Sequence, residues 1–184
     1  MAAPIFNSFV AGAAGSFRIE QITAVRGETL ASAPMLAVQP VLTRELETNA
    51  VWKLRGSTGH VRYVEHAEKV ALGRVTPPLG RAEATCAVMI PIRKSDAWWE
   101  LAQDERRAIL EAQSQHIAIG LRYLPAVARR LYHSRELGEP FDFVTWFELA
   151  PEHTPAFDEL LALLRATEEW RYVEREVEVR LRRA

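Results

Sequence analysis

The chain is nearly without cysteine. Cys86 is the only one in 184 residues, so no disulfide can form within the chain and the fold must rest on its core. A reducing compartment suits such a chain, and a cytoplasmic location is the expectation. Excess charge of either sign is also missing: 23 Lys and Arg face 24 Asp and Glu. Without a basic excess there is no general electrostatic hold on a nucleic-acid backbone, and no nucleic-acid partner is expected. No apolar run approaches the ~20 residues that span a bilayer, so no membrane partner is expected either. No Lys or Arg precedes Arg18, so the basic start of a secretory signal is lacking. P-loop, GxGxxG, HExxH, CxxC and Ser nucleophile-elbow patterns are absent. That removes the common motifs of NTPases, dinucleotide enzymes, zinc proteases and hydrolases.

What is present suits one globular domain, or two small fused halves sharing a core. The first third reads weakly. Phe17 to Val25 alternates as a strand, residues 27–50 show no firm period, and Val51–Leu54 and Val61–Val64 read as short strands. His66 to Leu72 is a brief helical stretch. Thr76-Pro77-Pro78-Leu79-Gly80 is loop chemistry and marks a boundary between halves, roughly 1–80 and 81–184. The second half is clearer. Ala84–Ile92 is a strand apolar on both faces. Ser95 and Asp96 cap a short helix carrying Trp98 and Trp99, and Asp104 opens a longer one predicted to run to Leu124. Strands follow at Val127–Ser134 and Phe141–Leu149, then a helix from Thr154 to about Glu169, then a strand over Tyr172–Arg182. The order β-α-β-β-α-β is that of a ferredoxin-like α+β unit. Its sheet has a free face bearing aromatics, most simply covered by a second such sheet. This predicts a back-to-back α+β barrel with a pocket at its interior or mouth.

His116 is the unusual histidine among His60, His66, His116, His133 and His153. On the predicted helix its face carries Ile109, Ala112, Ile119, Gly120 and Tyr123. One reading is a core histidine bonded to a backbone carbonyl. The other is an axial ligand to a planar cofactor, with Ala112 and Gly120 making room. A single ligand with no Cys or second His nearby suits haem better than zinc. Arg129 and Arg130 lie on opposite faces of their strand, so one of them can point into a pocket and attract a small anion. Glu168 and Glu169 end the predicted helix against its dipole, which calls for a partner: an ion pair with Arg165 or Arg171, or support for a ligating histidine. Lys94, Trp98 and Trp99 follow a strand-to-helix junction, and a break at Asp104 would fold Trp98 back onto the His116 pocket.

WKLRG (52–56), VRYVEHAEK (61–69), PLGRAEATCAVMIPIRKS (78–95), the run from Ile90 to His153 and RATEEWRYVEREVEVRL (165–181) together resemble the chlorite dismutase family. The likeness covers about residues 51–184 and points to the short, dimeric branch, with a truncated N-terminal half. It implies an α+β, ferredoxin-like chain of two fused halves in one domain, binding haem b and forming a homodimer. It implies conversion of chlorite to chloride and O2, with formation of the O–O bond. By the same resemblance, His116 is the proximal haem ligand and Glu169 its hydrogen-bond partner. Arg129 is the distal arginine that retains hypochlorite, Lys94 and Trp98 border the haem, and Tyr63 contacts a propionate. Short-branch members often carry Gln before the loop proline where this chain has Thr76, so Arg129 is expected to be more mobile. Alternatives on the same fold are a coproheme decarboxylase, which lacks the distal arginine, and a non-enzymatic haem-binding protein. A cofactor-free barrel binding small aromatics is the third.

Overall fold

The computed structural model describes residues 4–40, 49–59 and 63–184. Eight strands close into an antiparallel barrel: β1 (Phe6–Gly12), β2 (Phe17–Arg26), β3 (Met35–Pro40), β4 (Trp52–Ser57), β5 (Cys86–Lys94), β6 (Val127–His133), β7 (Phe143–Leu149) and β8 (Val173–Arg183). Around the barrel the order is β1-β3-β2-β8-β5-β7-β6-β4, with β4 returning to β1. Each half therefore repeats one arrangement: β4-β1-β3-β2 and β8-β5-β7-β6. In the C-terminal half the connections from β5 to β6 and from β7 to β8 carry helices: α2 (Asp96–Glu100), α3 (Gln103–Arg107), α4 (His116–Arg122) and α5 (Thr154–Arg165). In the N-terminal half β1 passes to β2 through residues 13–16 alone. Gly15 makes that short passage possible, because a Cβ there would sit 2.3 Å from the Leu36 backbone. One more helix, α1 (His66–Val75), joins the halves and buries none of its residues. No described helix is long and apolar enough to cross a membrane.

Strand alternation divides the apolar residues into two cores. Ala87 and Met89 point into the barrel with Phe9, Phe17, Tyr132 and Trp146, and this interior is filled by side chains. Val88, Ile90 and Ile92 point outward, beneath a helix layer that contributes Ile119, Phe157, Leu160 and Leu164. β5 is thus apolar on both faces because it is buried on both. The expectation of a pocket at the barrel's interior or mouth changes, because side chains among the described residues fill the interior. The cavity lies outside the barrel, between the β5-β7-β6 wall and the helices, since aromatic side chains fill the interior.

Further expectations change. The single helix predicted over 105–124 is broken into α3, a π-helical turn (Ala108–Gln113) and α4, with Gln115 in the left-handed region at φ 52°. Asp104 lies inside α3, which starts after Ala102. Glu168 and Glu169 do not end α5: Thr167 is extended, and the two carboxylates begin a 3₁₀ turn (Glu168–Tyr172), so no helix dipole opposes them. The strands β1 and β3 were not predicted. Val64 and Tyr63 are not strand, and residues 60–62, including His60 and Val61, lie outside the described residues.

Candidate functional site

The helix break builds the site. Its kinked backbone leaves the first N–H groups of α4 without partners in their own helix. Glu111 reaches back from the π turn and accepts from Ile117 N (2.7 Å) and Ala118 N (3.2 Å), doing the work of an N-cap. Ser114, also in the break, accepts the Glu169 backbone N–H at 2.9 Å. One irregular segment thereby fixes both His116, the first residue of α4, and Glu169. Ile109 and Ala112 belong to the turn before the break, so the helical face predicted for His116 survives only from His116 onward.

His116 Nδ1 lies 2.7 Å from Glu169 Oε2. The other carboxylate oxygen accepts from Lys94 Nζ at 2.8 Å. Lys94 and Glu169 are buried. Burial is the largest single influence on Glu169 and opposes its ionisation. His116 and Lys94 together outweigh it and hold the carboxyl at about 2. An ionised carboxylate only accepts, so Nδ1 carries the proton of that contact and Nε2 is the nitrogen left able to coordinate.

The cavity measures about 440 Å³, within the usual range for small-molecule sites. Its lining is mostly apolar. His116 and Gly120 border it from the helix layer, and Arg129 and Phe147 from the strands. A Cβ added at Gly120 would meet nothing within 4 Å, so α4 leaves open space one turn past His116. Arg129 makes no hydrogen bond and no ion pair among the described residues. It is half-buried and lines the cavity. Burial lowers its pKa from the ordinary arginine value and the Glu169 charge partly restores it, a balance that leaves a guanidinium cationic at any working pH. Arg130 lines the cavity too, although its strand partner Trp146 belongs to the barrel interior.

Trp98 is almost fully buried and borders the cavity; the chain turns after α2 at Leu101 and Ala102, before the predicted break at Asp104. Ser95 accepts the Trp98 backbone N–H, as the cap reading predicts. The Trp98 Nε1 has no partner among the described residues, and Lys94 Nζ stands 4.6 Å from its ring centroid. Tyr63, at φ 62°, packs edge-on against Trp98 and accepts from Arg106 through its hydroxyl at 3.1 Å. All six predicted residues, His116, Glu169, Arg129, Lys94, Trp98 and Tyr63, therefore line one cavity. Trp99 does not: it stacks on Phe143 beneath Arg135. Of the other histidines, His133 lines the cavity, His66 opens α1 and His153 ends a turn.

This lining suits a haem. No group of three or more His, Cys, Asp or Glu among the described residues could hold a bare metal ion. One imidazole with a fixed tautomer serves a metal that brings its own equatorial ligands. The apolar walls accept a porphyrin face, and the unpartnered Trp98 N–H offers a donor that an apolar ligand would leave unsatisfied.

A family model described as chlorite dismutase matches residues 44–182. The chain belongs to the chlorite dismutase family. A dimeric chlorite dismutase from Nitrobacter winogradskyi is 57% identical, over 97% of this chain and 99% of that one, with a TM-score of 0.92. A curated chlorite dismutase from Ideonella dechloratans is 36% identical over 86 residues, which are 47% of this chain and 28% of that relative. A mutant chlorite dismutase from Candidatus Nitrospira defluvii, at 20% identity, shares the fold over 96% of this chain with a TM-score of 0.68.

In this chlorite dismutase family member, Thr76 lines the cavity, but its hydroxyl donates to Leu72 O at 2.7 Å and makes no bond to Arg129. The Glu169 contacts also predict a pH dependence. Its carboxyl sits near 2 in the folded chain against about 4.5 unfolded. Its stabilising contribution, on the order of 3 kcal/mol, is therefore complete above pH ~4.5 and disappears as pH falls toward 2. In thermal melts of the haem-free protein, Tm falls over that window, and the fall is smaller in Glu169→Gln. Equal falls in both proteins would contradict the assignment.

Proposed function

We propose that this chain is a haem b-dependent chlorite dismutase that converts chlorite to chloride and O2. One observation carries the reading: the Arg129 guanidinium, with no hydrogen-bond or ion-pair partner among the described residues, shares a cavity with a histidine whose Nδ1 is engaged by Glu169 and whose Nε2 is free to coordinate. His116 would hold the haem iron, and Trp98, Lys94 and Tyr63 would border the porphyrin. When bound, haem supplies the iron at which a Cl–O bond is cleaved and the O–O bond is made.

The chain's own residues do the rest. Arg129 attracts the chlorite anion and keeps hypochlorite beside the site until it recombines. Its charge acts in a water-poor cavity, where attraction is stronger than in bulk solvent. Glu169 accepts the Nδ1 proton of His116, fixes the ring's tautomer and makes it a stronger donor through Nε2. Lys94 shares the same carboxylate and limits how far that proton is drawn. With Thr76 engaged on α1, Arg129 is held by no side chain among the described residues and can follow the anion. The resemblance gives the coproheme decarboxylase branch no distal arginine, so Arg129 separates the two readings.

By the same reading the chain is one domain of two fused halves. The C-terminal half is ferredoxin-like and the N-terminal half has lost the helix between its first two strands. The likeness to the dimeric Nitrobacter protein supports a homodimer. The test is direct: haem-loaded protein releases O2 from chlorite on an oxygen electrode. Haem binding without O2 release would instead indicate a carrier.

A further inference from the structure

The charged face of β8 is solvated only in part: Glu174 is exposed, but the middle of the strand is covered. Glu176 is fully buried and Glu178 nearly so, because α5 covers them. Arg165, near the end of α5, donates to Glu176 Oε1 through Nε (2.9 Å) and to Glu178 Oε2 at 2.6 Å. The second oxygen of Glu176 is not used by Arg165. It accepts the Trp170 indole N–H at 2.7 Å. The Trp170 ring lies nearly parallel to the His116 imidazole, at 17° and 6.4 Å between centroids. Lys94 Nζ stands 5.5 Å from the centroid of the same indole.

A single hydrogen bond fixes where Nδ1 points but leaves the imidazole free to turn about that bond. A flat surface alongside the ring removes this freedom, provided the surface is itself fixed. Trp170 supplies the surface, and the Glu176–Arg165 pair, beneath α5 on the same outer face of the sheet, fixes it. Glu176 is too deeply buried to serve as a solvated surface charge, and breaking its pairing would strand a carboxylate. We infer that Trp170, tethered through its N–H to Glu176, is a positioning residue that sets the rotation of the His116 ring. The inference rests on reading His116 as the haem ligand.

The rotation of an axial imidazole relative to the porphyrin nitrogens splits the iron orbitals, so the g values of a low-spin ferric haem report it. The test uses haem-loaded protein with cyanide added as the sixth ligand, read by electron paramagnetic resonance. The parent shows one set of g values. Trp170→Leu, which removes the surface, shows at least two sets while haem binding is retained. Trp170→Phe keeps a ring face and loses only the tether, folds with minimal repacking, and shows the second set in smaller proportion. A parent-like single set in both variants would overturn the inference. Haem binding unaffected by His116→Ala would overturn the functional reading beneath it, a result distinguishable from the first because it needs no change at Trp170.

Discussion

Replacing His116 by Ala leaves a protein that folds but no longer holds haem through the chain. The imidazole is the single candidate ligand on the cavity wall that is oriented by a buried carboxylate, and no other cluster among the described residues could take a metal. Losing an outer partner of a metal ligand already costs about 10–100-fold in affinity, and losing the ligand itself costs at least as much. The vacancy also leaves Lys94 as the ion-pair partner of Glu169 among the described residues. Haem titrations followed by the Soret band measure the effect, with circular dichroism confirming the fold. An axial spectrum and affinity equal to the parent's would mean that the iron is held elsewhere.

Arg129→Ala has the second large effect, on the fate of the anion. Two unit charges about 4 Å apart interact by about 4 kcal/mol at an effective dielectric near 20. Water entering the enlarged cavity recovers part of that, so retention of a small anion should fall roughly ten- to hundredfold. Chlorite binding weakens, more hypochlorite reaches solution, and the enzyme inactivates in fewer turnovers. A chlorination trap in the assay reads the escaped hypochlorite. If the trap reports no more product than with the parent, Arg129 does not retain it. The substitution should leave the barrel intact, because the guanidinium makes no hydrogen bond or ion pair within the described residues.

The half of the chain that forms the site was the legible half. β5 and β7 announce themselves as apolar runs, α5 by its leucine stripe, and the predicted β-α-β-β-α-β order matches the observed order of elements. β1 escaped detection because it is buried on both faces by small and polar residues, Ser8 and Ala11 among them, so no alternation shows. The break before His116 was hidden for a different reason. AILEAQSQHIAIGL contains no Gly or Pro at the kink, and a left-handed Gln115 leaves no mark in the pattern. His116, Glu169 and Arg129 are individually visible in the sequence; support of a ligating histidine by Glu168 or Glu169 is one of two open readings there, and the resemblance joins all three. Trp170 and Glu176 were missed as part of the site. The one available signal was a large aromatic set within a charged run, TEEWRYVERE, with acidic residues on a strand face that a helix bearing Arg165 then covers.

The most direct measurement adds chlorite to haem-loaded protein on an oxygen electrode and compares O2 released with chlorite consumed. Because ClO2⁻ gives Cl⁻ and O2 without any other reactant, the account predicts one O2 for each chlorite, dependent on both His116 and Arg129. Chlorite consumed without O2, or the same O2 yield from the His116→Ala protein, would contradict it.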